Sequence, residues 1–192
     1  MLALALRTTT HTRALGSVTR SNLSVHRYPL QPYSISKTMV SLQGPTLKAA
    51  IKDDHEEMYL YFDEYLRNAN DADAQARWTH LFTWEIARHA VGEEIVVYPL
   101  MEKYLGARGK ELADKDRLDH QYVKEQLYEL QSIIPNTSDH LLKMQEIMNH
   151  LRPHNDSEEN EDLPLLEKVI GAEGSKQAAQ DFKKTKGFVP TR

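Results

Sequence analysis

Residues 89–107 read HAVGEEIVVYPLMEKYLGA, and residues 154–172 read HNDSEENEDLPLLEKVIGA. Laid over one another, the two share H-x-x-x-E-E-x-x-x-x-P-L-x-E-K-x-x-G-A. The same shift of 65 residues carries Asp54-His55 onto Asp119-His120. Each copy therefore has the form D-H, 33 residues, then H-x-x-x-E-E. Self-similarity at a fixed spacing marks one supersecondary unit used twice.

The unit is a helical hairpin. Apolar positions recur at helical spacing, and no segment sustains the period-two alternation of a strand. A first helix is expected over residues 46–68, with Leu47, Ile51, Met58, Phe62, Tyr65 and Leu66 inward. A second is expected over 75–104, closed by Gly106 and Gly109. A third covers 111–133 and ends at Pro135-Asn136-Thr137-Ser138. A fourth covers 139–170, with Pro153 and Pro164 inside it. Gly171 and Gly174 precede a short helix over 176–186, which leads to Phe188-Val189-Pro190. The expected fold is all-α: an antiparallel up-down-up-down four-helix bundle of two repeated hairpins, with a short C-terminal helix. Three segments follow: residues 1–43 as an N-terminal basic arm, 44–172 as the bundle, and 173–192 as the short helix and tail.

The spacing brings chemistry together. Residues four apart share a helix face, so His89 points with Glu93 and His154 with Glu158. From His55 to the first turn and back to His89, the outward and return legs nearly cancel at ~1.5 Å per residue. His120 and His154 are level by the same count. Four imidazoles and two carboxylates are thus expected in one buried layer. Burying both carboxylates as anions without compensation costs several kcal/mol each, and a pair of divalent ions would offset it. Imidazole with carboxylate suits iron, manganese or zinc. The expected ligands are His55 and His89 on one ion, His120 and His154 on the other, with Glu93 and Glu158 bridging. An octahedral ion so held keeps open positions for solvent, dioxygen, nitric oxide or peroxide.

The doubled D-H … H-x-x-x-E-E … P arrangement resembles the hemerythrin-like family, the His-His-Glu cation-binding domain, over about residues 45–172. The resemblance implies a four-helix bundle with a non-haem di-iron centre, two iron ions that an oxo or hydroxo group can bridge. It includes oxygen carriers, oxygen or iron sensors, and proteins linked to nitric oxide and iron–sulfur stress. Two departures separate this chain from the carriers. Lys124 stands where they have a fifth His, and both halves here use H-x-x-x-E. These departures favour sensing, redox chemistry or iron handling over oxygen transport. His150, one turn before His154, is expected to face away from the layer, with Pro153 bending the helix between them.

Composition narrows the rest. The chain has no cysteine, so disulfides, thiolate sites and cysteine nucleophiles are excluded. Residues 1–52 hold seven basic and no acidic residues, leaving 17 basic and 28 acidic residues beyond them. An acidic body argues against nucleic acid as a partner. The basic, Ser/Thr-rich N-terminus reads as a mitochondrial transit peptide, with a cytoplasmic protein as the outcome if translation starts at Met39. No apolar run approaches the ~20 residues of a membrane span. His80, His140 and His150 are expected at the surface or behind the ligands, and Glu94 and Glu159 likewise. Trp78, Trp84, Tyr98 and Tyr104 are expected as packing, and the acidic run from Asp156 to Asp162 as a solvated face. The function expected is metal-dependent binding or sensing of dioxygen, nitric oxide or iron in mitochondria. A di-iron oxidase, peroxidase or nitric-oxide-handling enzyme on the same ligands is the alternative, and a metal-free helical interaction module is a third reading.

Overall fold

The computed structural model describes residues 43–189, all of them in helices, turns or irregular segments. The basic arm, its targeting reading, the alternative start at Met39 and the final Pro190 lie outside those residues. The elements are α1 (Leu47–Arg67), α2 (Ala72–Gly92), a π-helical turn (Glu93–Val97), α3 (Tyr98–Leu130), α4 (Ser138–Ser157), a second π-helical turn (Glu158–Asp162) and α5 (Leu163–Lys186). No strand occurs among the described residues, and no helix there is long and apolar enough to cross a membrane.

Local chemistry sets the helix starts. Thr46 accepts a hydrogen bond from the Ala49 N–H, Asp71 from Ala74 and Thr137 from His140, each satisfying an orphan donor of a first turn. Breaks in direction fall at Gly106 (φ 60°, ψ −131°) in α3 and Gly171 (φ 70°, ψ 175°) in α5. Only glycine enters such backbone readily. The segment after Gly106 begins at once rather than at residue 111, and the C-terminal segment begins directly after Gly171 rather than at 176. Gly109 does not close a helix. It lies buried just after the Gly106 break, where a Cβ would stand 1.9 Å from the Met101 carbonyl oxygen.

The π-helical turns are a feature the periodicity does not announce. Proline has no N–H, so Pro99 and Pro164 cannot donate to the carbonyls four residues back. The ladder widens just ahead of each: Tyr98 N–H donates to the Glu93 carbonyl and Leu163 N–H to that of Glu158, five residues away. Both widenings begin at the glutamate of H-x-x-x-E. Pro153 lies inside its helix as expected, and α4 continues past it to Ser157. The carbonyl it leaves free belongs to Asn149, which is exposed, so water can satisfy it.

Helix α1 packs on α2 and α5, and α3 on α4. Two apolar clusters result. One gathers Met58, Phe62, Tyr65, Phe82, Ile86, Val123, Leu127 and Leu151, with neighbours from α4. The other gathers Leu47, Ile51, Val97, Tyr98, Met101, Leu163, Leu166 and Phe182. Of the inward positions expected in α1, Leu66 alone is exposed. Buried His55, His89, His120 and His154 each fall in sequence between members of the two clusters, so a polar layer is sandwiched between two greasy ones.

The Gly109→Ala substitution should destabilise the protein by about 2 kcal/mol or more, because the new methyl meets backbone that has nowhere to go. Denaturant unfolding measures this. A variant within about 0.5 kcal/mol of the parent would contradict the crossing described here.

Candidate metal centre

Each of the six residues singled out by the repeat lies in the polar layer. Glu93, Glu158 and His55 are wholly buried, and His89, His120 and His154 nearly so. The Nε2 atoms of His55 and His89 are 3.2 Å apart, and those of His120 and His154 are 3.3 Å apart. The glutamates stitch the two pairs together. Glu93 Oε2 lies 3.1 Å from His89 Nε2 and 3.3 Å from His120 Nε2. Glu158 Oε2 lies 3.7 Å from both His55 Nε2 and His154 Nε2. Each carboxylate therefore touches one imidazole of each pair, the arrangement a bridging ligand needs. His55, His89, Glu93 and Glu158 offer ligand atoms all within 4.8 Å of one another.

A carboxylate stands behind each ring. His55 Nδ1 donates to Glu159 at 2.9 Å and His89 Nδ1 to Asp54 at 3.0 Å. Glu94 approaches His120 Nδ1 at 3.4 Å, and Asp119 approaches His154 Nδ1 at 3.6 Å. A carboxylate on Nδ1 keeps the proton there and leaves the Nε2 lone pair facing the layer. The aspartate of each D-H pair therefore has a placement that spacing alone did not reveal: Asp54 holds His89 of the neighbouring helix, and Asp119 faces His154 of the neighbouring helix without a hydrogen bond. Glu94 and Glu159, adjacent to the layer glutamates, hold the histidines of α3 and α1. Lys186, from the last turn of α5, pairs with Asp54 and with buried Glu85. Phe182 sets its edge against His89 with ring centres 5.7 Å apart, so α5 seals this flank.

Other expectations fare differently. His140 is not at the surface; it is buried, and Tyr65 Oη at 2.9 Å satisfies its Nδ1. His80 is exposed. His150 stands outside the six, its Nε2 3.1 Å from Asp119 Oδ1 and its ring against Tyr122. Tyr98 does more than pack, since its hydroxyl lies 3.2 Å from the His120 ring nitrogens. Lys124, in place of a further imidazole, pairs with Glu94 at 2.5 Å. The acidic run is not wholly solvated: Glu158 and Asp162 are buried.

Electrostatics make the layer an unusual thing to bury. Neither oxygen of Glu93 nor of Glu158 has a hydrogen-bond partner. Burial and then the charge of Glu93 push the Glu158 carboxyl well up. Glu93 is buried as deeply, but His89 and His120 outweigh that and hold it well down. Burial lowers His55 to about 4, whereas at His89 the same burial is outweighed by Glu93 and Asp54, raising it to about 10. Protons thus do the neutralising that cations would do. Two orphaned carboxylates facing four Nε2 atoms fit a pair of divalent ions with nitrogen and oxygen ligands.

A family model described as the hemerythrin HHE cation binding domain matches residues 46–166. An uncharacterized hemerythrin-like protein of Schizosaccharomyces pombe is 44% identical over 172 residues, which cover 90% of this chain and 81% of that protein. No solved structure matches.

Metal loading near pH 7 should release protons, because His89 and Glu158 carry them in the metal-free layer and a ligand must shed its proton to bind. Titration calorimetry in buffers of different ionisation enthalpy reads this directly; a heat independent of buffer would contradict it. Asp54→Ala should weaken metal binding by about 10–100-fold, through loss of the group that orients His89. Asp53→Ala, on an exposed neighbour, should leave it unchanged.

Proposed function

Because the chain belongs to the hemerythrin HHE cation-binding family, we propose that it is a non-haem di-iron protein that binds or senses a small ligand, dioxygen or nitric oxide, or iron itself. The frame is an up-down-up-down bundle of two hairpins, cut by the breaks at Gly106 and Gly171. His55 and His89 would hold one ion and His120 and His154 the other, with Glu93 and Glu158 shared between them. The observation that carries this reading is the pair of sealed, unpartnered carboxylates, each touching one histidine from each hairpin.

Iron held there would supply open coordination positions for a diatomic molecule. The chain's own residues do the rest. The carboxylates on Nδ1 of His55 and His89, with Glu94 and Asp119 facing Nδ1 of His120 and His154, favour the tautomer that presents Nε2. Met58, Ile86, Val123 and Leu151 wall the layer on one side and exclude bulk water. The cavity they form with His89, His120 and His154 is about 10 Å³. Such a space takes one water-sized molecule. That favours binding of a diatomic ligand over turnover of a larger substrate. The basic N-terminal arm supports a mitochondrial address, and the acidic body supports the absence of a nucleic-acid partner.

Protein produced with ample iron should contain about two irons per chain, as six ligands sharing two bridges imply. Glu93→Ala and Glu158→Ala should each lose metal and melt at lower temperature, because metal binding is part of the folding free energy. His140→Ala should keep its metal even where it loses stability. His150→Ala should keep both metal and the oxidised-state absorption bands. Equal iron in all four variants would overturn the ligand assignment. The absorption spectrum should change on adding dioxygen or nitric oxide to the reduced protein; no change with either would leave iron itself as the ligand sensed.

A further inference from the structure

The two hairpins part company at buried positions beside the layer. Asp116 stands where the first hairpin has Ile51, and Asp162 where it has Val97. Ile51 and Val97 are wholly buried members of an apolar cluster, and Asp116 and Asp162 are buried just as deeply, at 0% and 1% exposure. Both oxygens of Asp116 and Oδ2 of Asp162 lack any hydrogen-bond partner. So does His154 Nδ1, itself more than nine-tenths buried, which faces Asp116 Oδ1 at 3.8 Å and Asp119 Oδ2 at 3.6 Å. The ligand atoms of Asp116, Asp119 and His154 lie within 4.8 Å of one another. Asp162 stands at the position of Val97, which shares an apolar cluster with Ile51, the counterpart of Asp116; after burial, the charge of Asp116 does most to raise its carboxyl, to about 6.

Nearby groups do not neutralise this cluster. Lys115 Nζ comes within 3.5 Å of Asp116 Oδ1 and 4.0 Å of Asp119 Oδ2, but its side chain is 53% exposed. His150 engages Asp119 through Oδ1, leaving Oδ2 turned toward His154. Replacing sealed acids by well-packed apolar residues is commonly neutral or stabilising. The first hairpin shows that this backbone accommodates such residues, so the acids are a departure that stability does not explain. Carboxylate oxygens with access to water through half-exposed Asp119 are the donors that hard divalent cations take.

We propose that Asp116, Asp162 and Asp119 form a third cation site, for a hard divalent ion such as Mn²⁺, adjoining His154 on the side away from the paired glutamates. The site does not require the histidine layer to hold iron.

Full-length protein with its layer loaded with iron is titrated with Mn²⁺, and the fall of the free-ion electron paramagnetic resonance signal is followed. The parent should take up about one Mn²⁺ per chain, as a single group of carboxylates around Asp116 implies. The double variant Asp116→Ile, Asp162→Val carries what the first hairpin has at these positions. It should take up none, with unchanged iron content and a higher melting temperature. Asp162→Asn keeps the shape and removes one charge, and it should weaken Mn²⁺ binding at least tenfold. No uptake by the parent, or equal uptake by the parent and either variant, would overturn the proposal. Uptake that depends on Asp116 and Asp162 in protein whose layer holds no iron would sustain it while the di-iron reading fell.

Discussion

An ionised carboxylate sealed in an apolar core costs several kcal/mol unless charge or hydrogen bonds answer it. This chain seals two, Glu93 and Glu158, with their oxygens unpartnered and within 3.1–3.7 Å of imidazole nitrogens. Much of the architecture serves to hold that layer. The apolar clusters on either side keep water out. The D-H aspartates and the glutamates following the layer carboxylates stand behind the rings. Lys186 and Phe182, from α5, close the His89 flank. A metal-free layer has to hold protons in place of cations, which ties metal affinity to pH and folding stability to metal.

Duplication explains why the layer is so complete. One hairpin supplies an aspartate, two histidines and two glutamates. A second copy facing it supplies the same set, and each glutamate touches a histidine of each copy. The π-helical turns are duplicated with it. Both start at the layer glutamate and end where proline cannot donate, so the widening and the ligand are set by one stretch of sequence. The copies then diverge at Ile51 and Asp116, Val97 and Asp162, and Leu163 and Tyr98. Those changes put the Tyr98 hydroxyl and the Asp116 carboxyl beside the His120–His154 pair, where the repeat-related positions of the other copy carry hydrocarbon.

Helical periodicity and the repeat were enough to read the all-helical fold, the grouping of six side chains and the family resemblance. The i, i+4 rule and equal leg lengths are local geometry, and local geometry is legible in a single chain. What escaped has a different origin. Asp54 and Asp119 were visible as repeated residues, but their partners sit on neighbouring helices, which one helix face does not show. His140 looked like a surface residue because the Tyr65 hydroxyl that satisfies it is 75 positions away. Asp162 looked solvated because it ends an acidic run; the π-helical turn rotates it inward. Gly109 read as a terminator, when what it answers is the close approach of the Met101 carbonyl across the break at Gly106.

In the proposed centre, Glu93 and Glu158 each join two ions held by histidines from both hairpins. Diffraction from crystals of the iron-loaded protein, with anomalous data collected on either side of the iron edge, tests it most directly. Two iron peaks are expected in the layer. One is bonded through Nε2 of His55 and His89, the other through Nε2 of His120 and His154, and both glutamates span the pair. A single peak, peaks bonded through Nδ1, or a layer in which Glu93 and Glu158 touch only the histidines would contradict it.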